Sequence, residues 1–219
     1  MRNPLARLAI GVALAATSAT AVAEPMTSEG ITFSDELGGF QILALSGSGT
    51  LDDPFVLVEE VTGDGGAVLV VRGLNGGYGN RVATRHATGF ALHKIVTNGT
   101  GQDWLRYEIE LREHLAASSP YEDGLSFGQA SAHPPERSNM FASVASVDEP
   151  YDALSFIDGI VAPGESVTFT MIVTDETPPP TFLIAQHAVQ VVASPGLEGA
   201  APAGYAHAEI SIGNGDPLQ

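Results

Sequence analysis

Three carboxylates crowd one short stretch, Glu108-Ile109-Glu110-Leu111-Arg112-Glu113. Residues two apart on a β-strand share a face at roughly 7 Å, from which two carboxyl groups can flank a glycosidic bond once their side chains converge. Bringing Glu113 onto the face of Glu108 would also need a bulge. Arg106 and Arg112 bracket the acids, as an ordinary charge ladder would. A second pattern, Gly124-Leu125-Ser126-Phe127-Gly128, fits Gly-x-Ser-x-Gly. A nucleophile elbow needs a strand, a sharp turn and then a helix. The following Gln129-Ala130-Ser131-Ala132-His133-Pro134-Pro135 cannot begin an amphipathic helix, so Ser126 reads as a strand residue.

The acids belong to the clearest alternating pattern in the chain. Leu105, Tyr107, Ile109 and Leu111 alternate with Arg106, Glu108, Glu110 and Arg112, so a strand here turns one set to the core and the other to water. The lone tryptophan, Trp104, starts the polar face or else plugs one end of the core. An outer face built from Trp104, Arg106, Glu108 and Arg112, with Tyr121 in the next loop, would offer flat rings and paired charges to a glycan or a protein partner. The preceding run ends at Thr97, and the polar turn from Asn98 to Asp103 makes the two runs an expected antiparallel hairpin.

No cofactor is expected, calcium being the one candidate ion. Asp52 and Asp53 in one turn, and Asp148, Glu149 and Asp152 in another, supply the oxygen ligands that surface calcium sites use. The segment Gly76-Gly77-Tyr78-Gly79-Asn80 is a single copy of a pattern that binds calcium only when stacked. The six histidines show no tight ligand spacing, and Asn98-Gly99-Thr100 reads as turn chemistry.

Around this stretch lie short β-branched and aromatic runs: Gly39 to Leu45, Pro54 to Val61, Ala67 to Gly73, Gly89 to Thr97, Asn139 to Val144, Ala153 to Ile157, Ser166 to Thr174, Thr181 to Ala193 and Ala208 to Ile212. Asp64-Gly65 signals a hairpin, because Asp-Gly tolerates the positive φ of a tight primed turn. Helix signals are poor, and Pro120 stops the one turn that could follow Glu110. Many short strands separated by turns predict an all-β, antiparallel β-sandwich of the jelly-roll or immunoglobulin-like kind, forming a single domain. Its expected bounds are 31–193, after a flexible leader at 24–30 and before a Gly/Ala/Pro-rich segment at 194–219 that holds the last short run.

Residues 1–23 read as a cleaved signal peptide: Arg2 and Arg7, then the apolar run Leu8 to Ala16, then Ala21-Val22-Ala23. That run is shorter than the roughly 20 residues a spanning helix needs, so neither membrane insertion nor an anchor is expected, and the place is secreted or periplasmic. Among 219 residues there are 9 basic and 26 acidic, a net charge of −17, and no cysteine. The acidic surface repels nucleic acid and anionic lipid. Without cysteine there are no disulfides and no thiolate chemistry. Lys94 is the only lysine.

Two resemblances follow. Glu108 to Glu113 resembles the Glu-x-Asp-x-x-Glu strand of jelly-roll endo-glycosidases, with Glu110 in the Asp position, and this implies Glu108 as nucleophile and Glu113 as acid/base of a glycan hydrolase. Gly49 to Pro54, Val96-Thr97-Asn98 ahead of Trp104, and Val161 to Glu165 ahead of an alternating strand are together similar to small exported β-sandwich proteins of Gram-negative bacteria, a likeness that implies place more than chemistry. The leading expectation is a non-enzymatic binding or structural module at the cell envelope or in the extracellular matrix, with carbohydrate as a candidate ligand. The hydrolase and a calcium-stabilised adhesin-like module are the alternatives, and the oligomeric state is left open.

Overall fold

A computed structural model describes residues 24–120, 123–128, 136–147 and 152–190. The expected signal peptide, Tyr121, Asp148, Glu149 and the run Ala208 to Ile212 lie outside these. The described chain is all-β, with thirteen strands in two sheets. The first sheet holds β1 (Met26–Ser28), β2 (Ile31–Ser34), β5 (Ala67–Arg72), β13 (Thr181–Gln190), β7 (Trp104–Arg112), β11 (Ala153–Gly159) and β10 (Phe141–Val147), in that spatial order. The second holds β3 (Phe40–Ser46), β4 (Phe55–Val61), β6 (Thr88–Asn98), β12 (Ser166–Asp175) and β8 (Leu125–Phe127), with the short β9 (Arg137–Ser138) also on β12.

Period-two patterning builds the core between them. On β12, Val167, Phe169, Met171 and Val173 are buried and the intervening Ser166, Thr168 and Thr170 are not. Phe33, Phe55 and Phe90 meet edge to face with centroids 5.4 to 6.2 Å apart, joining both sheets. Tyr107 of the first sheet stacks on Phe169 of the second at 4.7 Å.

Several expectations change. Residues 24–30 are not a loose leader, because β1 pairs with β2 through a turn at Glu29 and Gly30, both at positive φ (53° and 86°), the geometry of a two-residue primed turn. The runs on either side of Asn98 to Asp103 are no hairpin: β6 pairs with β12 and β4, whereas β7 pairs with β13 and β11. Likewise Asp64-Gly65 joins β4 of one sheet to β5 of the other. In both places the turn residues were legible, but each flanking strand carries its own apolar face, and crossing between layers buries both. One pairing, β4 with β6, is parallel, since the chain leaves the second sheet to form β5 before it returns.

Candidate functional site

β7 was expected to present its charges to water, and it does so only in part. A register shift opposite Val189 and Gln190 leaves Leu105 without a ladder partner and reverses its parity with Trp104. Trp104 is therefore fully buried, donating Nε1–H to Thr100 Oγ1 at 3.2 Å, while Leu105 is exposed. The reading of Trp104 as an outer-face ring gives way to the plug. Arg106 Nε lies 3.2 Å from Glu108 Oε1 as an ion pair, Ser155 Oγ donates to the same oxygen at 3.4 Å, and His187 stands opposite Glu108 in the ladder. Further along, Arg112 pairs with Glu110 at 2.7 Å and donates to the Leu115 carbonyl at 3.1 Å, and both side chains are nearly buried. Arg112 is thus not an open ligand contact.

Glu113 lies past the end of β7, and five extended residues span about 16 Å. Burial, then the Asp123 carboxylate, raises its pKa. Ser126 sits buried in β8, within a strand and not on an elbow. Asp52 and Asp53 are exposed in their turn and Asp152 is buried beside β7, where its carbonyl accepts from Leu111 N–H at 3.0 Å. Among the described residues, no three His, Asp or Glu side chains converge on a point that could hold a metal.

On the outer face of the second sheet, Leu51, Pro54, His93, Arg137, Thr170 and Ile172 are among the residues lining a groove of about 150 Å³. Burial, then the Arg137 charge, lowers the His93 pKa, which favours a neutral imidazole in an apolar hollow. At another corner, Asp175 is fully buried at the end of β12. Its Oδ1 accepts from Thr177 N–H at 2.8 Å and its Oδ2 has no partner among the described residues. Burial raises its pKa to about 7, helped by the Glu113, Asp123 and Glu176 carboxylates.

The most concentrated polar chemistry is inside. Lys94 occupies an inward position of β6, in line with Phe90, Leu92 and Val96, and Glu59 an inward position of β4, in line with Phe55, Leu57 and Val61. Both side chains are fully buried, with Lys94 Nζ 2.5 Å from Glu59 Oε1. Glu59 Oε2 accepts from Gln186 Nε2 at 3.0 Å, across to the first sheet. Gln186 Oε1 in turn accepts from the Tyr107 hydroxyl at 2.8 Å. Burial lowers the Lys94 pKa against the pull of Glu59, and burial with the Glu59 charge raises that of Tyr107, which stays a protonated donor. Reading the acids of β7 passed over this cluster. The available signal was that the only lysine and a glutamate each fall on the apolar parity of a strand.

No protein-family model, curated protein or solved structure matches this chain.

Proposed function

We propose that the protein is an exported, non-enzymatic module of the cell envelope or extracellular matrix, its two sheets the layers of a jelly-roll or immunoglobulin-like sandwich, and that it binds a glycan through the outer face of β7. One observation carries this reading: Arg106, Glu108, Ser155 and His187 form a partly exposed polar strip along a sheet, with the carboxylate already held by a cation and a hydroxyl. Such a strip offers donors and acceptors to hydroxylated ligands.

The test is retention of the protein lacking residues 1–23 on a panel of immobilised polysaccharides. Retention on at least one glycan is expected, weakened tenfold or more in the Arg106→Ala, Glu108→Ala double variant. Absence of retention on every polysaccharide, or retention that the double variant leaves unchanged, rejects the assignment.

A further inference from the structure

A fully buried ion pair is a poor way to stabilise a core, because desolvating two charges offsets their attraction and apolar residues of similar size serve as well or better. The cluster of Lys94, Glu59, Gln186 and Tyr107 nevertheless places four polar side chains in one buried site, and each contact has a chemical sense. An amine and a carboxamide nitrogen lie against the two oxygens of one carboxylate: Lys94 Nζ on Glu59 Oε1 at 2.5 Å and Gln186 Nε2 on Glu59 Oε2 at 3.0 Å. The Gln186 carbonyl points the other way and accepts from Tyr107 O–H at 2.8 Å. This orientation of the amide follows from its partners, since a carbonyl turned toward the carboxylate would be repelled.

We propose that these residues form an intramolecular amide bond between Lys94 Nζ and Gln186 Cδ, with release of ammonia and with Glu59 as the proton-transferring catalytic residue. When the proton of the ion pair rests on Glu59, Nζ is a neutral amine with a free electron pair. Nζ attacks Cδ of Gln186, and the carbonyl π pair moves onto Oε1, where the Tyr107 hydroxyl stabilises the developing negative charge as an oxyanion donor does. Glu59 takes one proton from Nζ through Oε1 and gives its own through Oε2 to Nε2. Collapse of the tetrahedral intermediate restores the carbonyl, breaks the Cδ–Nε2 bond and expels Nε2 as ammonia. One N–C bond forms and one breaks, nothing is oxidised or reduced, and Glu59 ends in the protonation state in which it began.

Two physical conditions favour the step. Burial disfavours the charged ammonium, as the lowered Lys94 pKa reflects, so the nucleophilic form is accessible in this core. Folding also gathers the amine and the amide onto the two oxygens of one carboxylate, so the reactants need not meet by diffusion. The product ties β6 of one sheet to β13 of the other, a covalent link between layers in a chain that has no cysteine with which to make one. Each chain reacts once, upon folding, so this chemistry belongs to maturation and is separate from the binding proposed for β7.

The single lysine makes the test binary. Purified protein is denatured and treated with an endoproteinase that cuts only after unmodified lysine. Cross-linked chains resist cleavage, and their intact mass lies about 17 Da, one ammonia, below that of the unmodified sequence from the same N-terminus. Digestion after arginine then gives a branched species joining the segment His86 to Arg106 to the one that begins at Ser138. The Glu59→Ala chain, folded or not, is cut once and has its full sequence mass. Cleavage of the denatured wild-type protein after Lys94 overturns the proposal. A loss of about 18 Da, one water, places the bond on Glu59 and overturns the role of Gln186. Resistance of the Glu59→Ala chain overturns the role of Glu59.

Discussion

Glu59 Oε2 and Gln186 Nε2 meet at 3.0 Å across the interface between the two sheets, and both side chains are buried. The amide stands between a carboxylate and the Tyr107 hydroxyl, so it satisfies two polar groups at once. Gln186→Leu, similar in volume, leaves a carboxylate oxygen and a hydroxyl without partners in the core. Stability is expected to fall by at least about 2–4 kcal/mol, the cost of the two unpaired groups to which loss of the link to Lys94 adds. The measurement is urea unfolding, with a lower midpoint and, because the variant cannot form the link to Lys94 and its unfolded chain is less restrained, a steeper slope. A fall of less than about 1 kcal/mol would mean that the carboxylate and hydroxyl find other partners.

Asn98 holds the passage from β6 to β7. Its Nδ2 donates to the carbonyls of Gln102 at 2.8 Å and Val161 at 2.9 Å, while its Oδ1 accepts from Thr100 N–H and Oγ1–H at 3.0 and 2.6 Å. Thr100 Oγ1 then accepts from Trp104, so one buried amide sets the turn that seats the tryptophan. Asn98→Asp keeps the acceptor and loses both donations, turning a charge toward two carbonyls. A loss of about 2–4 kcal/mol is expected. Trp104 fluorescence, shifted to longer wavelength in the variant, reports whether the seat has opened.

How far the sequence foretold this arrangement depends on what each signal encodes. Alternation named the strands and their inward residues well, as on β12, because the period of a strand is local. Partners are not local. The same turn chemistry that closes a hairpin also carries β6 into β7 and β4 into β5 across layers, and nothing within those turns distinguishes the outcomes. Leu105 and Trp104 exchanged places because the irregularity is imposed by β13, some eighty residues later. For the site, Arg106 and Glu108 were legible as neighbours on one face. The Lys94 cluster was not, since it needs residues from four strands of both sheets, although a lysine on an apolar parity was there to be noticed.

Gly47 ends the strand β3 at φ +85°, where a Cβ would lie 1.9 Å from the Pro54 carbonyl oxygen. The obstacle is backbone, so no rotamer change relieves it. Its own carbonyl accepts from Ser28 Oγ at 2.8 Å, linking β1 to the second sheet. Gly47→Ala combines a disfavoured backbone conformation with a clash and is expected to cost more than about 2 kcal/mol. The check is thermal unfolding, where such a loss lowers the melting temperature by several degrees.

Asp175 gives a pH dependence with an unusual sign. Its folded pKa, about 7, stands above the ordinary aspartate value, through burial first and then through Glu113, Asp123 and Glu176. Between roughly pH 4 and pH 7 the folded chain therefore binds a proton that the unfolded chain has released, and in that window stability falls as pH rises. The contribution is full below the unfolded pKa and is lost as pH passes the folded one. Asp175→Asn keeps an acceptor for Thr177 N–H and removes the charge facing the three carboxylates. The variant is expected to be more stable than the wild type above pH 7, by on the order of 1 kcal/mol, and to lose this advantage by pH 5. Melting temperatures of both proteins from pH 5 to pH 8 decide it: parallel curves would show that Asp175 titrates alike in the folded and unfolded chains, and a wild type gaining stability as pH rises, with the variant lagging behind, would mean that its carboxylate is held ionised by the fold.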